Sequence, residues 1–251
     1  MGDAVSFMGF VDMNRVEYYR VGWAVYAKKV PLWDPNIGKL SYFTTHFSFT
    51  IGTVGSGTSD FGDGLAFFLA PTRFIIPPNT EGGGLGLLNS TNYFSGQNQI
   101  VLVEFDSNVN NEWDPPFAHV GINSNSIAFV TYTRWNTSFH SGDTADVLII
   151  YNATTKNLSV SWTYRKTTNT EESTSLSYQI DLMKVLPEWV TVGFSAATGL
   201  QIKPHLLQSW EFSSSLDIKE TSGKVAKNES LIVGLTVALA GVVIIIVFVM
   251  L

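Results

Sequence analysis

The densest chemistry in this chain lies between Val103 and Asn123, which reads VEFDSNVNNEWDPPFAHVGIN. Val101, Val103 and Phe105 alternate with Leu102, Glu104 and Asp106 under a β-branched and aromatic bias, which predicts a strand. Carboxylates two residues apart on a strand point to the same face, so Glu104 and Asp106 are expected side by side. A loop crowded with oxygen ligands follows: Asn108, Asn110, Asn111, Glu112 and Asp114, closed by Pro115 and Pro116, with His119 ahead of a second apolar run. Oxygen ligation alone suits calcium, and one added imidazole suits a transition metal such as manganese. Residue types alone leave an ordinary acidic turn between strands as the alternative. They do exclude two familiar motifs. No helix-borne H-E-x-x-H occurs, and the loop lacks the glycine and terminal glutamate of an EF-hand.

Such a cluster needs a rigid frame, and the rest of the chain reads as strands. Apolar or alternating runs occur at Val21–Ala27, Tyr42–Ile51, Leu65–Ala70, Ile100–Asp106, His119–Ile122, Ser126–Thr133 and Val147–Tyr151. Four more follow at Leu158–Tyr164, Leu176–Ile180, Trp189–Ser195 and Leu206–Phe212. In the second run Phe43, Phe47, Phe49 and Ile51 fall on one face, with Thr44, His46, Ser48 and Thr50 on the other. That is the pattern of a half-buried strand. Turn residues separate the runs, including Gly55-Ser56-Gly57, Pro77-Pro78-Asn79 and Ser141-Gly142-Asp143. Only Asp181–Leu186 suggests a helical turn. The expectation is an all-β antiparallel sandwich over residues 1–215, with a linker over 216–230.

Composition narrows the function classes. Hydrophobic residues make up 45% of the 251 and charged residues only 14%, enough to bury a core without staples. No cysteine is present, which removes disulfides and thiolate chemistry. A net charge of −6 with no basic stripe argues against nucleic-acid binding.

Residues 231–251 read LIVGLTVALAGVVIIIVFVML, with Thr236 as the only polar side chain. As a helix this segment would be about 31 Å long, matching a hydrocarbon core of about 30 Å, so a single transmembrane span is expected. Sequons at Asn89, Asn136, Asn152, Asn157 and Asn228 place the sandwich on the extracellular side of a plasma membrane, the first four being the expected glycosylation sites. Lys219, Lys224 and Lys227 lie on the same side, against the positive-inside rule, but no residue beyond Leu251 is available for comparison. Met1–Asp12 shows no secretory leader.

Several motifs together resemble the legume-type (L-type) lectin domain. They are DGLAFFLAP at Asp63–Pro71, GGGLGLLN at Gly82–Asn89, the VEFD…N…WDPP…HVGIN stretch, VGFSAATG at Val192–Gly199 and SWEFSSS at Ser209–Ser215. Their order holds from about Gly22 to Ser215, and PLWDP at Pro31–Pro35 with the apolar C-terminal segment makes the chain similar to the ectodomain of plant L-type lectin receptor kinases. The resemblance implies a jelly-roll sandwich of two large sheets with Ca2+ and Mn2+ beneath a shallow sugar pocket. It implies that Glu104, Asp106, Asp114 and His119 bind manganese. Calcium would be bound by Asp106, Asn110, Asp114 and the backbone carbonyl of Asn108. Asp63, the Gly83 backbone and Asn110 would bind the sugar, with Leu200 and Gln201 in the loop that sets preference.

Departures from the family pattern are specific. Asn108 stands where an aromatic usually floors the pocket, which removes about 1 kcal/mol of stacking. Phe129 replaces a serine near the manganese, Gly62 replaces an alanine before Asp63, and the loop after Gly199 is short. The edge strand that usually precedes Gly2–Ala4 is also missing, as is a kinase signature. Three readings follow. The first is a membrane-anchored sugar-binding ectodomain that signals through a receptor partner with its own cytoplasmic domain. The second is the same fold recognising another ligand or a protein. The third, a metal-dependent hydrolase, lacks an open metal position and a general base beside the cluster.

Overall fold

A computed structural model of the chain describes residues 1–52 and 62–216. In chain order its strands are β1 (Val5–Phe7), β2 (Phe10–Asp12), β3 (Val21–Val25), β4 (Val30–Pro31), β5 (Trp33–Asp34), β6 (Lys39–Leu40), β7 (Phe43–Ile51) and β8 (Gly64–Pro71). They continue as β9 (Val101–Asp106), β10 (His119–Ser124), β11 (Phe129–Arg134), β12 (Thr144–Asn152), β13 (Asn157–Tyr164), β14 (Ser175–Gln179), β15 (Trp189–Ala197) and β16 (His205–Ser214). One sheet runs β1-β2-β16-β7-β12-β13-β14; the other runs β11-β10-β9-β8-β15-β3, with β4 also on β15. All pairings between these strands are antiparallel.

The alternation read on β7 is realised. Phe43, Phe47, Phe49 and Ile51 are buried between the sheets, while Thr44 and His46 face outward and are exposed. Phe105 of β9 meets Phe49, Trp135 and Trp162 at ring distances of 4.9, 5.6 and 5.7 Å, in edge-on geometries that favour the ring quadrupoles. Burying one such side chain contributes about 1.5–3 kcal/mol, so β9 is held firmly from its inner face.

Strands β8 and β9 are buried on both faces, because a second core lies over their outer side. There Phe68 and Leu102 pack with Trp23, Leu85, Leu87 and Leu88. This second core binds the segment around the 3-10 turn Gly82–Gly84 onto the sheet. Trp23 Nε1 donates to Gly86 O at 3.0 Å, and Ser195 Oγ donates to Leu85 O at 2.6 Å.

Two details depart from the sequence reading. The expected strand from Ser126 begins only at Phe129, because Asn125 adopts a left-handed φ of 60° and Ser126 Oγ accepts the Ala128 N–H at 3.1 Å. The hairpin β1–β2 has strands too short for a period of two to register in sequence. The sole described α-helical turn, Leu182–Val185, falls inside the predicted Asp181–Leu186. Strand β16 pairs with β7 along its length but with β2 only at Leu206 and Leu207. Among the described residues, no strand lies against its other edge from Ser209 to Ser214.

Among the described residues no helix is long and apolar enough to cross a membrane. The expected span over 231–251, most of the linker, and the sequon at Asn228 lie outside the described residues.

Candidate functional site

Register brings the cluster together. On the outer face of the second sheet, Asp106 of β9 stands opposite His119 of β10, and Glu104 opposite Gly121. Glu104, Asp106 and His119 are at most 2% exposed, and one potential ligand atom from each lies within 4.8 Å of the others. His119 Nε2 is 3.1 Å from Glu104 Oε1 and 3.9 Å from Asp114 Oδ1. Asn123 Nδ2 donates to Glu104 Oε2 at 3.2 Å. Phe129 and Tyr132 stand edge-on to the imidazole at 5.3 and 6.0 Å, enclosing it.

The loop after β9 folds around its own carboxylates. Asp106 Oδ1 accepts the Asn108 N–H at 2.9 Å, and Asp114 Oδ2 accepts the Asn110 N–H at 2.7 Å. The Trp113 and Asp114 N–H groups both donate to Asn110 O. Even so, charge is in excess. Burial first, then the Asp114 and Glu104 charges, raise the Asp106 carboxyl well above the usual range. Burial likewise raises Asp114 to about 6, although the Asn110 N–H and His119 pull it down. Three carboxylates enclosed with one imidazole are what a divalent cation would neutralise. The residues therefore fit an ion held by mixed oxygen and nitrogen ligands, and the chemistry of this donor set suits manganese or calcium.

Beside this cluster is a second convergence. The Gly62–Asp63 peptide is cis, and Asp63 is held from three sides. Its N–H donates to Ala197 O at 2.9 Å, and its carbonyl accepts from the Ser107 N–H at 2.8 Å and Ser107 Oγ at 2.7 Å. The side chain is 3% exposed; Asn108 Nδ2 donates to Oδ1 at 3.0 Å, while Oδ2 has no partner. Burial pushes this carboxyl up to about 7, with the Asn108 hydrogen bond and the close approach of the Gly199 backbone working against the shift.

Three glycines close around it. A Cβ on Gly199 would stand 2.8 Å from Asp63 Oδ2, and one on Gly83 would stand 2.5 Å from Asn110 Oδ1. Real side chains do not approach so closely, so both positions need hydrogen in place of a methyl group. The Gly82 N–H donates to Thr198 O at 3.1 Å, joining the 3-10 turn to the end of β15. Asn110 Oδ1 is also buried without a partner. Two orphaned acceptors, on Asp63 and Asn110, thus sit in one small region where buried polar atoms are ordinarily satisfied.

Asp63, Gly83, Asn108 and Asn110 therefore converge, and they adjoin the Glu104, Asp106, Asp114 and His119 cluster through the short 107–114 loop. Gln201 lies against the residue before Asp63, since a Cβ on Gly62 would stand 2.3 Å from Gln201 Cβ. That contact is the physical reason glycine stands there. Leu200, next to Gly199 in the chain, is 74% exposed. Asn111 and Glu112 are exposed and outside the cluster. Sequence reading missed Asn123, Ser107 and Gly82. The first two are ordinary polar residues until the register of β9 with β10 and the fold of the loop supply their partners. Of the sequons, Asn152 and Asn157 flank the β12–β13 turn, Asn136 is exposed, and Asn89 Oδ1 accepts from Thr91 while its Nδ2 donates to Pro78 O. A separate cleft of about 320 Å³, between Pro71, Arg73 and Trp189, lies at the opposite end of β8 from Asp63.

Two large antiparallel sheets with a pinned loop over the outer face define a lectin-type sandwich. The chain belongs to the legume lectin domain family, whose model matches residues 1–229. Within that family it is similar to the L-type lectin-domain containing receptor kinase IX.1 of Arabidopsis thaliana, 48% identical over 94% of this chain and 37% of the kinase. Agglutinin-2 of Cladrastis kentukea is 44% identical over 78% of this chain and 66% of its own length. Among solved structures, lectin UEA-II complexed with galactose superposes with a TM-score of 0.76 at 38% identity, covering 86% of this chain and 92% of that one. The metal-free form of lectin I-B4 from Griffonia simplicifolia gives 0.76 at 36%, covering 86% and 92%. This chain spans about a third of receptor kinases IX.1 and IX.2 of Arabidopsis thaliana, 37% and 33% of their lengths.

Proposed function

We propose that this chain is the carbohydrate-binding ectodomain of a single-pass plasma-membrane protein of the receptor-like type, its lectin domain extracellular. Asp63, the Gly83 backbone and Asn110 would meet the hydroxyls of one sugar, with Leu200 and Gln201 at the edge. The observation that carries this reading is the orphaned buried acceptor Asp63 Oδ2 beside the glycines; Asn110 Oδ1, also without a partner, is left to calcium in this reading and its Nδ2 to the sugar. Sugar hydroxyls are donors of the kind Asp63 Oδ2 lacks.

In this reading Glu104, Asp106, Asp114 and His119 hold manganese, while Asp106, Asn110, Asp114 and the Asn108 carbonyl hold calcium. The ions supply positive charge that lets the 107–114 loop stay ordered; they take no part in a reaction. Residues 216–230 serve as linker and 231–251 as the membrane span. Glycans on Asn89, Asn136, Asn152 and Asn157 would face outward. Signalling would pass to a receptor partner that has a cytoplasmic domain.

Binding to a glycan array, repeated with Asp63→Ala and with chelator, tests the pocket and the ions separately. Binding that survives Asp63→Ala removes the pocket assignment. One observation favours a second reading, a lectin fold that recognises another ligand or a protein. Asn108 provides no ring and occupies one oxygen of Asp63 at 3.0 Å. An array with no response, alongside a protein captured by the intact domain, would favour it.

A further inference from the structure

A five-residue surface segment, Arg15–Tyr19, is exposed throughout, and three of its residues are large and apolar or aromatic. Val16 is 38%, Tyr18 58% and Tyr19 56% exposed. The segment is nevertheless anchored at both ends. At its base, buried Asn14 donates to Lys203 O at 3.1 Å and bonds the His205 ring at 2.8 Å. At its far end, the Arg20 N–H donates to Thr198 Oγ1 at 3.0 Å, and Thr198 Oγ1 in turn donates to Glu17 O at 2.7 Å. The Tyr19 N–H donates to Gly199 O at 3.3 Å, and Tyr19 holds a left-handed φ of 54°, a conformation that a bulky residue keeps only where its surroundings impose it.

Thr198 and Gly199 are the same residues that wall the Asp63 pocket: Gly199 approaches the Asp63 carboxylate, and Thr198 O accepts the Gly82 N–H. Two exposed tyrosines therefore sit on a segment whose Tyr19 N–H bonds the carbonyl of Gly199, the glycine that approaches Asp63, and exposed Leu200 follows Gly199 in the chain. The pocket itself has Asn108 where a stacking ring would serve. Aromatic faces take the C–H face of a pyranose, and the phenol offers a hydrogen bond at its edge.

We propose that Tyr18 and Tyr19, with Leu200, form an outer subsite for the next pyranose of a glycan whose first sugar occupies the Asp63 pocket. This inference rests on the carbohydrate reading of that pocket. The protein then selects oligosaccharides over monosaccharides, recovering on the rim the stacking that the pocket floor does not offer.

The test is isothermal titration of the full chain in mild detergent, with calcium and manganese present. The probes are matched pairs: galactose and lactose, N-acetylglucosamine and chitobiose, mannose and mannobiose. The wild type is expected to bind one disaccharide about fivefold to tenfold more tightly than its monosaccharide, the range a single aromatic stack supplies. Tyr18→Ser with Tyr19→Asn, the latter chosen because asparagine tolerates a left-handed φ, is expected to erase that ratio and leave the monosaccharide unchanged. Tyr18→Phe with Tyr19→Phe should retain most of it, and unchanged melting curves certify the fold. Equal binding within every pair, or a ratio that survives the Ser/Asn variant, overturns the subsite while leaving the Asp63 pocket standing if Asp63→Ala abolishes binding. Absence of all binding, or binding indifferent to Asp63→Ala, overturns both.

Discussion

Removing divalent cations should make this protein's stability fall as pH rises, the reverse of ordinary acid denaturation. The carboxyls of Asp63 and Asp114 are raised from 3.8 to about 7 and about 6. A carboxyl raised in the folded state binds its proton more tightly there than in the unfolded chain. Its stabilisation is complete below the unfolded value and is lost as pH climbs through the folded value. At about 1.4 kcal/mol per unit, Asp63 alone removes roughly 4 kcal/mol between pH 4 and 7. Asp114, discounted for solvent screening, removes about 2 kcal/mol more by pH 6. A cation bound at a hundred times its dissociation constant restores about 2.7 kcal/mol. The assay is urea unfolding of the domain from pH 4 to 7.5, with chelator and with millimolar calcium and manganese. The difference between the two curves should be near zero at pH 4 and reach several kcal/mol at pH 7.5, roughly 10 °C in melting temperature for a domain of this size. Taking the difference cancels groups remote from the cluster, His205 among them. A difference that is absent, or equal at both ends of the range, would refute the reasoning that the burial of carboxylate charge in this region is what a cation relieves.

Three further outcomes are expected. Gly83→Ala drives a methyl to within 2.5 Å of Asn110 Oδ1 and should cost about 1–3 kcal/mol by thermal melting, with loss of glycan binding exceeding that of stability. His205 is fully buried, its basicity lowered from 6.5 to about 3 by desolvation, so its contribution is present above pH 6.5 and falls by about 1.4 kcal/mol per unit below it. Acid unfolding of His205→Gln, measured with cations present, should lack that slope. Phe105→Ala empties the space between Phe49, Trp135 and Trp162 directly beneath Glu104 and Asp106, and should cost about 3–5 kcal/mol and weaken cation binding measured by titration.

What the amino-acid order determined by itself was whatever has a period or a composition. Eleven predicted strand runs correspond to β3, β7 to β16, because each is long enough to alternate or to stay apolar. Glu104 and Asp106 had to share a face once that stretch was a strand, while the oxygen-rich loop with one histidine offered an ion site beside the alternative of an ordinary acidic turn. The short hairpin β1–β2 escaped, since three residues hold no full repeat.

Tertiary structure decided which distant groups meet. Register between β9 and β10 set His119 against Asp106 and gave Asn123 to Glu104. The end of β15 carried Gly199 to Asp63 and bound the tyrosine segment to the same rim, across 178 residues of chain between Arg20 and Thr198. Those contacts leave no mark on local pattern, because a hydrogen bond or a missing Cβ depends on what approaches, and only closure of the sandwich brings the partners within reach.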